Sequence, residues 1–592
     1  MTLLNSKLAK EFNGRFKARP ERRHTVLEGE SADWQEIVAA GYLAAKYNKT
    51  EGVVNDIRYL GRVQPVRLPE LNDDALEGAA PDVLVVGGGV VGCAIARELT
   101  RWKLDVLLIE KECDVALHAS SRNDGEVHPG LDLHKGSQKY IYNMRGNEMY
   151  DQICADLQVP FERPGQWLAF PGKIPMIALR LTKLYWNYLG IPCKVLHRAQ
   201  APRRLAGLHP NLKHLLAFPT AGAVCPYGLT IAYAENAIQN GARVSLQTAC
   251  LSIEVKDGQV VSVKTNRGTI RPKIVVNAAG TFADNIAAMA DDRFFSIHPR
   301  RGTNSILDKK ATNLISRVHV ASMMAGGNKI NTHAAHSKGG GIILTAHRNL
   351  LIGPDAVETP DKEDFSTTPE SIATVFNKQA RTSDVLNRGQ IITYFTGVRA
   401  PTYEEKFVIR WGLYTKNIIH AAGIQSPGLT AAPAIGETIA RWAAERLSAA
   451  PNEQFDPVRP AIVHAAQLPE RERNRLIEEN PDYGVIFCRC EQISKGEIVA
   501  ALHRPLPCDS VDGVKRRVRA GMGRCQGGFC GPQVAQTIAE ELHIPLSQVR
   551  KSGPGSEIVY GSIKEAPPPD SSPVPPLSPA SCIPTSGKEA LV

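Results

Sequence analysis

The chain has 592 residues, a formal net charge of +10 at pH 7, 43% apolar residues and 22% charged residues. This length exceeds what one hydrophobic core supports, so we expect about two to four structural units of ordinary globular composition. The positive charge is not interleaved with aromatic residues, so no nucleic-acid partner is expected. No apolar run is long enough to span a bilayer. We therefore expect a cytoplasmic protein, with peripheral membrane association and organelle targeting left open.

Residues 1–80 form an extension that precedes the first strongly patterned segment. Its first 24 residues are basic but lack the apolar centre of a secretory signal, which favours a surface tail over an organelle presequence. Ser31 is placed to cap a helix from about residue 32 to residue 47. We find no motif that carries chemistry here and expect the extension to pack on the main body or to mediate association.

The segment 82–110 combines five features of a dinucleotide-binding unit. An apolar strand, a glycine turn of G-x-G-x-x-G spacing, an amphipathic helix and a second apolar strand lead to Glu110. Gly87 permits a tight turn, Gly89 lets the backbone approach a pyrophosphate, and Gly92 lets helix and strand pack closely. The helix N-terminus attracts phosphate, and Glu110 can accept hydrogen bonds from a ribose. The unit alone does not distinguish NAD from FAD.

Three later segments are expected to meet this unit. A polar loop at 119–130 can lie across a cofactor, and its His128 is either a base or a histidine satisfied by the loop backbone. Apolar strands ending in small residues at 277–280 and 418–423 predict two further sites of close approach. The helix that starts near Thr430 can support negative charge on a redox ring.

The C-terminal part of the chain holds four cysteines in the pattern C-x-C … C-x4-C. Zinc sites favour C-x2-C, whereas a [2Fe–2S] cluster requires four thiolates. We therefore favour a cluster over zinc or an empty thiol site, and the spacing of Cys508 does not make it a ligand. The expected ligands are Cys488, Cys490, Cys525 and Cys530.

The surroundings of these cysteines suit an anionic cluster. Glycines at 521, 523, 527 and 528 let backbone N–H groups turn toward sulfur, and Pro532 begins a helix that runs to about Leu542. Five cations are interpreted either as a solvated helix face or as a group that compensates the cluster or docks an acidic electron carrier. They are Lys515, Arg516, Arg517, Arg519 and Arg524. Residues 546–592 are proline-rich and predicted to be a disordered tail.

Together these patterns resemble the FAD-dependent oxidoreductases of the D-amino-acid-oxidase superfamily. The nearest branch resembles the large subunit of anaerobic-type glycerol-3-phosphate dehydrogenases, with L-2-hydroxyglutarate oxidases as near relatives. The resemblance covers about residues 81–545 and rests on the glycine triplet with Glu110 and on the runs 121–128, 277–280, 397–399 and 422–429. The run 512–530 resembles the bacterioferritin-associated-ferredoxin-like [2Fe–2S] domain.

The resemblance implies a fold class of α/β plus α+β. It implies a glutathione-reductase-type FAD-binding Rossmann domain with an interleaved antiparallel substrate domain, and a small, mostly helical [2Fe–2S] domain. The expected units are the extension 1–80, the oxidoreductase 81–460, the cluster domain 481–545 and the tail. Within the oxidoreductase, FAD-binding segments of about 81–150, 220–297 and 386–450 alternate with substrate-domain segments of about 151–219 and 298–385.

The resemblance also implies FAD and a [2Fe–2S] cluster as cofactors, and it assigns site residues. His128 matches the position of an active-site histidine, and Arg399 matches one that holds the anionic end of the substrate, which suits a guanidinium. Asp124 departs from the Ser or His usual in the family, and an acid there would disfavour an anionic substrate. The expected FAD-binding residues are Gly87, Gly89, Gly92, Glu110, Ser121, Arg122, Asn123, Ala279, Gly280, Gly423 and Leu429.

We therefore expect an FAD-dependent dehydrogenase that oxidises a small anionic 2-hydroxy substrate, glycerol 3-phosphate first and L-2-hydroxyglutarate next. His128 would take the hydroxyl proton. Electrons would leave through the cluster to an electron-acceptor protein or a quinone-linked subunit of a hetero-oligomer. Two alternatives stay open: an amino-acid or amine dehydrogenase on the same fold, and a non-catalytic electron-transfer subunit.

Overall fold

The computed structural model describes residues 1–200, 207–322, 340–559 and 561. The described helices are α1 Thr2–Glu11, α2 Trp34–Tyr47, α3 Val90–Leu99, α4 Gln138–Asp156, α5 Met176–Tyr188, α6 Pro226–Gln239, α7 Ala283–Met289, α8 Lys310–Leu314, α9 Pro369–Ala380, α10 Gly428–Leu447, α11 Glu470–Glu479, α12 Lys495–Leu502, α13 Val511–Val518 and α14 Gly531–Leu542. The described strands are β1 Phe16–Glu21, β2 His24–Ser31, β3 Val53–Asn55, β4 Arg58–Tyr59, β5 Val83–Val86, β6 Val106–Ile109, β7 Glu126–Val127, β8 Phe161–Glu162, β9 Gln166–Pro171, β10 Lys194–His197, β11 Leu212–Phe218, β12 Gly222–Val224, β13 Arg243–Ser245, β14 Cys250–Lys256, β15 Gln259–Thr265, β16 Gly268–Ile270, β17 Ile274–Asn277, β18 Arg300–Leu307, β19 His319–Ser322, β20 Gly341–Leu344, β21 Leu350–Gly353, β22 Val357–Glu358, β23 Ile391–Arg399, β24 Val408–Trp411, β25 Ile418–Ala422, β26 Ile486–Cys488 and β27 Ile493–Ser494.

A six-stranded sheet forms the centre of the oxidoreductase, with strand order β13-β6-β5-β17-β25-β24. The strands from β13 to β25 run parallel, and β24 pairs antiparallel at the edge. Strands β5, β6, β17 and β25 are buried at every residue, as expected where both faces of a sheet are covered. Alternate side chains divide between two cores. Val83 and Val85 pack toward α3, α6 and α10, while Leu84 and Val86 pack toward the β14-β15-β16 meander.

A second, mostly antiparallel sheet has the order β10-β11-β9-β19-β20-β21-β18-β22, and β23 also pairs with β18. Its β9–β19 pairing is parallel. The chain enters this sheet at β9 and again at β18, after the parallel strand β17, so the two sheets are interleaved in sequence. The structure differs from the predicted segments at β23. This strand lies in the predicted FAD-binding segment 386–450, but it pairs with β18 of the second sheet, with Arg399 opposite Arg300. The finer glutathione-reductase-type classification stays a prediction.

The N-terminal extension is a folded unit and not a tail with one helix. Strands β1–β4 pair through β2, and α1 and α2 close a core that includes Tyr403 of the oxidoreductase. The predicted cap was wrong, because Asp33 accepts the hydrogen bond from the Gln35 N–H at 2.8 Å. Ser31 is tied instead to Glu36 at 2.8 Å. The alternation of β1 stops at Pro20 after four residues, and β2 does not alternate, which explains why neither strand was predicted.

The cluster domain has its own core, to which α12, α13 and α14 contribute. A disordered tail was predicted from residue 546, but the described residues that follow it are folded. Val549 is fully buried in that core, and the Ile558 N–H donates to its carbonyl at 3.1 Å. The chain therefore stays folded through residue 559, because apolar burial there outweighs the proline-rich composition further on. Residues 562–592 lie outside the described residues. Within the described ranges, no helix combines the length and apolar character needed to cross a membrane.

Candidate cofactor sites

The glycine turn after β5 lies at the carboxyl edge of the parallel sheet, beside the end of β17. Gly87 has φ +114°, and a Cβ there would lie 2.5 Å from the Ala278 carbonyl oxygen. A Cβ at Gly92 would lie 1.9 Å from the Gly87 carbonyl oxygen. The structure thus has the tight turn and the close helix–strand packing that these two glycines were expected to provide. Because β5, β17 and β25 are adjacent, their three small-residue endings share one edge.

The backbone at this edge is open where a ligand would approach. A Cβ at Gly89 would meet only the Ser120 hydroxyl among described atoms, at 3.2 Å. Gly280 has φ +55°, and a Cβ there would meet no described atom within 4 Å. Ser120 was missed in the sequence. Its hydroxyl accepts from the Val90 N–H at 2.8 Å, so it fixes the loop at the start of α3. These open positions at a helix N-terminus fit a dinucleotide phosphate.

Glu110 faces the glycine turn from the end of β6. Its Oε2 accepts from the Gly88 N–H at 2.6 Å, and its Oε1 accepts from the Glu112 N–H at 2.9 Å. Two main-chain donors therefore orient the carboxylate beside the phosphate-binding turn. This is the position at which the acid of a dinucleotide-binding unit meets the ribose.

The run 121–123 holds the shape of its own loop. The Arg122 Nε donates to the Leu117 carbonyl at 3.1 Å, and its guanidinium lies 4.3 Å from the Phe365 ring centroid. Asn123 donates to the Ala119 carbonyl at 3.0 Å and accepts from the Gly125 N–H at 2.9 Å. The Ser121 hydroxyl donates to the His118 carbonyl at 3.4 Å. Cofactor contacts from these three residues stay predictions.

His128 is buried where β7 meets the start of α10. Its backbone N–H donates to the Thr430 hydroxyl at 2.8 Å, and its ring Nδ1 accepts from the Gly130 backbone N–H at 3.0 Å. A neutral imidazole that accepts at Nδ1 carries its proton on Nε2. In this arrangement Nε2 is a donor, so a base role at Nε2 requires the Gly130 contact to open.

Arg399 ends β23 and is half-buried, with its guanidinium between strands. It donates to the Asp355 carbonyl at 3.0 Å and to the Arg301 carbonyl at 3.3 Å. Gly302 makes room for it, since a Cβ there would lie 2.2 Å from the Arg399 Nη2. Burial, followed by the neighbouring Arg300, lowers the pKa of Arg399, while the carboxylate of Asp124 is among the groups that oppose this shift. The structure therefore brings the unusual Asp124 into the electrostatic surroundings of Arg399.

The third small-residue strand ending at the carboxyl edge of the sheet is the turn from β25 into α10. Gly423 has φ +64°, and a Cβ there would lie 2.6 Å from the Lys406 carbonyl oxygen. The helix begins at Gly428, two residues before the predicted start, and the Tyr150 hydroxyl donates to the Leu429 carbonyl at 2.6 Å. The partial positive charge of a 20-residue helix thus lies at the shared edge.

The four predicted thiols meet in the cluster domain as two pairs. The Cys490 and Cys525 sulfurs are 3.8 Å apart, and Cys488 is hydrogen-bonded to Cys530. Each pair joins one cysteine of the first half of the motif to one of the second. Cys488 and Cys530 are buried, whereas Cys490 and Cys525 are exposed. Four thiols in this arrangement fit a [2Fe–2S] cluster with one edge at the surface.

Hydrogen bonds lower the pKa of two of these thiols, Cys488 and Cys525, whereas the hydrogen bond with Cys488 raises that of Cys530. Hydrogen bonds, first from Cys530 and then from the Gly521 backbone, lower the pKa of Cys488 to about 6 despite burial. The backbone N–H of Phe529 and then that of Gly527 lower the pKa of Cys525. Cys508 differs, because burial raises its pKa to about 11 and its thiol donates to the Ala501 carbonyl at 3.6 Å. It belongs to the domain core.

Two of the predicted cations, Arg516 and Arg517 of α13, belong neither to a solvated face nor to a docking patch. Arg516 and Arg517 bind the buried carboxylate of Asp114 at 3.0 Å and 2.9 Å. Asp114 belongs to the oxidoreductase, in the loop between Glu110 and Ser120. Two residues further on, the Ala116 N–H donates to the Gly88 carbonyl at 3.0 Å. The cluster domain therefore holds the loop that borders the glycine turn.

Two further contacts join the cluster domain to the start of α6 and to its buried face. Arg504 of the cluster domain binds the fully buried Glu235 at 2.6 Å, and Arg459, at the end of the oxidoreductase, binds the same carboxylate at 2.6 Å. The Tyr227 hydroxyl lies 3.1 Å from the Met522 sulfur, three residues before Cys525. Tyr227 follows β12, which pairs with the β7 strand that leads to His128. The cluster domain thus docks at the end of a strand pair that leads to His128.

Comparison with known families agrees with this geometry. The family model described as FAD dependent oxidoreductase matches residues 82–442, and the BFD-like [2Fe-2S] binding domain matches residues 486–540. The chain belongs to the FAD-dependent oxidoreductase family. The predictions of FAD, of a [2Fe–2S] cluster and of an FAD-dependent dehydrogenase are confirmed.

Individual relatives cover most of the chain. It is 39% identical over 490 residues to the glycerol 3-phosphate dehydrogenase of Caloramator mitchellensis, covering 82% of this chain and 99% of that protein. It is 24% identical over 523 residues to the anaerobic glycerol-3-phosphate dehydrogenase subunit A1 of Haloferax volcanii, covering 78% and 83%. A solved structure of dithionite-reduced L-alpha-glycerophosphate oxidase from Mycoplasma pneumoniae with FAD bound matches with a TM-score of 0.57 and 25% identity, covering 64% of this chain and 98% of that one.

Proposed function

We propose that the enzyme oxidises glycerol 3-phosphate and passes the electrons through its [2Fe–2S] domain to a partner. The observation that carries this proposal is the 39% identity to a glycerol 3-phosphate dehydrogenase over 99% of that protein. A second relative with the same substrate name is 24% identical over 78% of this chain, whereas the L-2-hydroxyglutarate dehydrogenase of Indibacter alkaliphilus is 24% identical over 62% of it. Glycerol 3-phosphate therefore ranks first and L-2-hydroxyglutarate second.

Arg399 is the group proposed to hold the substrate phosphate. Two of its five N–H donors are used by the Arg301 and Asp355 carbonyls. These contacts fix the plane of the guanidinium and leave its other donors for a bidentate contact with an oxyanion. The neighbouring Asp124 reduces the net positive charge of the site, so the phosphate would be held by directed hydrogen bonds more than by excess charge.

His128 is the group proposed to take the proton of the substrate hydroxyl. FAD, when bound, supplies the acceptor for the hydride of the carbon that carries this hydroxyl. The Thr430 contact fixes the His128 backbone, so the ring can turn without moving the strand. For the base role, the ring releases the Gly130 amide and carries its own proton on Nδ1, which leaves Nε2 to accept.

The exposed edge of the cluster domain is proposed as the exit for electrons. Cys490 and Cys525 are exposed there beside Phe529, which is 54% exposed. The Arg489 guanidinium lies 4.9 Å from the Phe529 ring centroid, and the Arg524 side chain is 64% exposed. This cationic rim suits an acidic electron-acceptor subunit. We propose a cytoplasmic hetero-oligomer held at the periphery of a membrane, where a quinone-linked acceptor would be reached.

Anaerobic reduction of the bound flavin tests the substrate. Glycerol 3-phosphate added to the purified enzyme is expected to bleach the flavin absorbance, and L-2-hydroxyglutarate is expected to act more weakly. Glycine and proline serve as comparison substrates for the amino-acid dehydrogenase alternative. Bleaching by L-2-hydroxyglutarate, glycine or proline but not by glycerol 3-phosphate would overturn the substrate assignment.

Substitution of His128 and Arg399 tests their roles. His128→Ala is expected to slow flavin reduction by about 10²- to 10⁴-fold, the usual range for loss of a general base. Arg399→Lys is expected to raise KM more than it lowers kcat, because a lysine cannot bind an oxyanion bidentately. His134→Ala is the matched control, since His134 is exposed in the next loop segment and its ring contacts the Lys135 carbonyl at 2.9 Å. An unchanged rate for His128→Ala removes it from the chemistry.

A further inference from the structure

Helix α5 lies on the outside of the antiparallel sheet, against β10 and β11. Its inner side buries Leu179, and Met176 and Trp186 are partly buried in the same cluster. That cluster includes Leu216 and Phe218 of β11. One face of α5 is therefore already used in holding the helix to the sheet.

The opposite face of α5 is also apolar, and it is exposed. With about 100° between successive residues, its five large side chains fall within an arc of about 100°. They are Ile177 (63% exposed), Leu181 (60%), Leu184 (62%), Tyr185 (58%) and Tyr188 (75%). A helix with apolar residues on both sides is expected to have a second partner. A contiguous exposed patch of this kind marks an interaction surface.

The charge around α5 identifies the kind of partner. The sequence contains no Asp or Glu from residue 163 to residue 234, and the same stretch contains nine Lys or Arg residues. Arg180 and Lys183 belong to the helix itself, and Lys173 precedes it. From a neighbouring loop, the Lys135 ammonium lies 4.8 Å from the Tyr188 ring centroid. The apolar face is thus bordered by cations.

We propose that the α5 face docks the enzyme on an anionic lipid surface. Leucine, isoleucine and tyrosine side chains can enter the boundary between headgroups and acyl chains, while lysine and arginine stems reach back to the lipid phosphates. A surface of uniformly negative charge disfavours every carboxylate on the docking side, which matches the absence of acid from 163–234. A second copy of the chain fits poorly, because its contact would bring the same cations together.

This inference names the surface behind the proposed membrane-peripheral location and does not depend on the substrate. Sedimentation of the full-length holoenzyme with vesicles tests it. Binding is expected with vesicles that contain phosphatidylglycerol and not with phosphatidylcholine alone, and high salt is expected to weaken it. Because vesicle binding is scored without substrate, its failure is distinguishable from failure of the proposed reaction.

The double variant Leu181→Glu, Tyr188→Glu is expected to lose vesicle binding by about tenfold or more, because it removes buried apolar area and adds repelled charge. Leu314→Glu is the matched control, since Leu314 is 55% exposed on α8. Both variants are expected to keep their flavin absorbance and their turnover with a soluble dye acceptor. Equal binding by the double variant and the wild type overturns the proposal, as does absence of binding to anionic vesicles. A dimer in sedimentation velocity that the double variant dissociates would reassign the face to copy–copy contact.

Discussion

The flavin site and the cluster site use different parts of the chain. At the flavin site, main-chain groups at the end of a buried parallel sheet face the ligand, and glycines such as Gly89 and Gly280 keep that backbone open. At the cluster site, four side chains make the contacts, and two of them are exposed. The first site therefore depends on packing beneath it, and the second on individual atoms. The interface through Asp114 joins the loop beside the first site to the domain that carries the second.

Removal of one thiolate separates the two sites most sharply. Cys530→Ser is expected to abolish the cluster, because a hydroxyl is a poor substitute for one of four thiolates. Iron content falls to background while the flavin absorbance and its reduction by substrate remain. Cys508→Ala, which removes a thiol from the same core, is expected to retain iron. Loss of flavin together with the cluster would show that the sites are not built independently.

Removal of the carboxylate between the domains tests their coupling. Asp114→Asn leaves Arg516 and Arg517 without their buried counter-ion, and breaking a buried pair in this way costs about 3–5 kcal/mol. Electron transfer from flavin to cluster is expected to slow and the chain between the domains to become protease-sensitive. Asp105→Asn breaks the exposed pair with Arg243 and is expected to cost less than about 1 kcal/mol. Similar effects of the two substitutions would argue against the coupling.

The same interface predicts a pH dependence. Burial raises the pKa of Asp114, but the charges and hydrogen bonds of Arg517 and Arg516 outweigh it, so the pKa is lowered overall. A carboxyl with a lowered pKa stabilises the fold fully above its ordinary pKa of about 3.9 and loses this contribution below it. Protease sensitivity between the domains is therefore expected to be constant near neutral pH and to rise only in that acidic range. A rise near pH 6 would point to a histidine instead.

A single methyl group at the glycine turn tests the main-chain site. Gly92→Ala forces its Cβ against the Gly87 carbonyl, and overpacking of this kind costs about 1–3 kcal/mol. The FAD content and the melting temperature are expected to fall while iron is retained. Gly531→Ala is the control, because a Cβ there meets no described atom within 4 Å. Normal FAD content in Gly92→Ala would show that the turn can shift without loss of the site.

The sequence predicts those parts of the sites that rest on local pattern. The strand–turn–helix around Gly87, the strand endings at 277–280 and 418–423 and the cysteine pairs were all located from spacing, and the structure brings each group together. Parallel strands place their carboxyl ends at one edge, so three separate motifs predicted one site. The start of α14 at Gly531 follows in the same way from Pro532.

Contacts between distant residues were not predictable in this way. The partners of Arg516 and Arg517 lie in another domain, so a cationic helix had no local feature to distinguish a buried face from a solvated one. Ser120 was passed over for its neighbour Ser121, because only the fold shows which hydroxyl faces α3. The carbonyls that hold Arg399 come from β18 and from the segment after β21, and backbone groups leave no mark in a sequence.

The distance along the chain between Asp114 and its partners affects how the protein is made. Arg516 follows Asp114 by 402 residues. During translation, the loop beside the glycine turn leaves the ribosome long before the side chains that neutralise its buried carboxylate. We therefore expect the Asp114 carboxylate to stay hydrated in the nascent chain until the C-terminal region emerges, so that docking of the two domains is a late event in biogenesis.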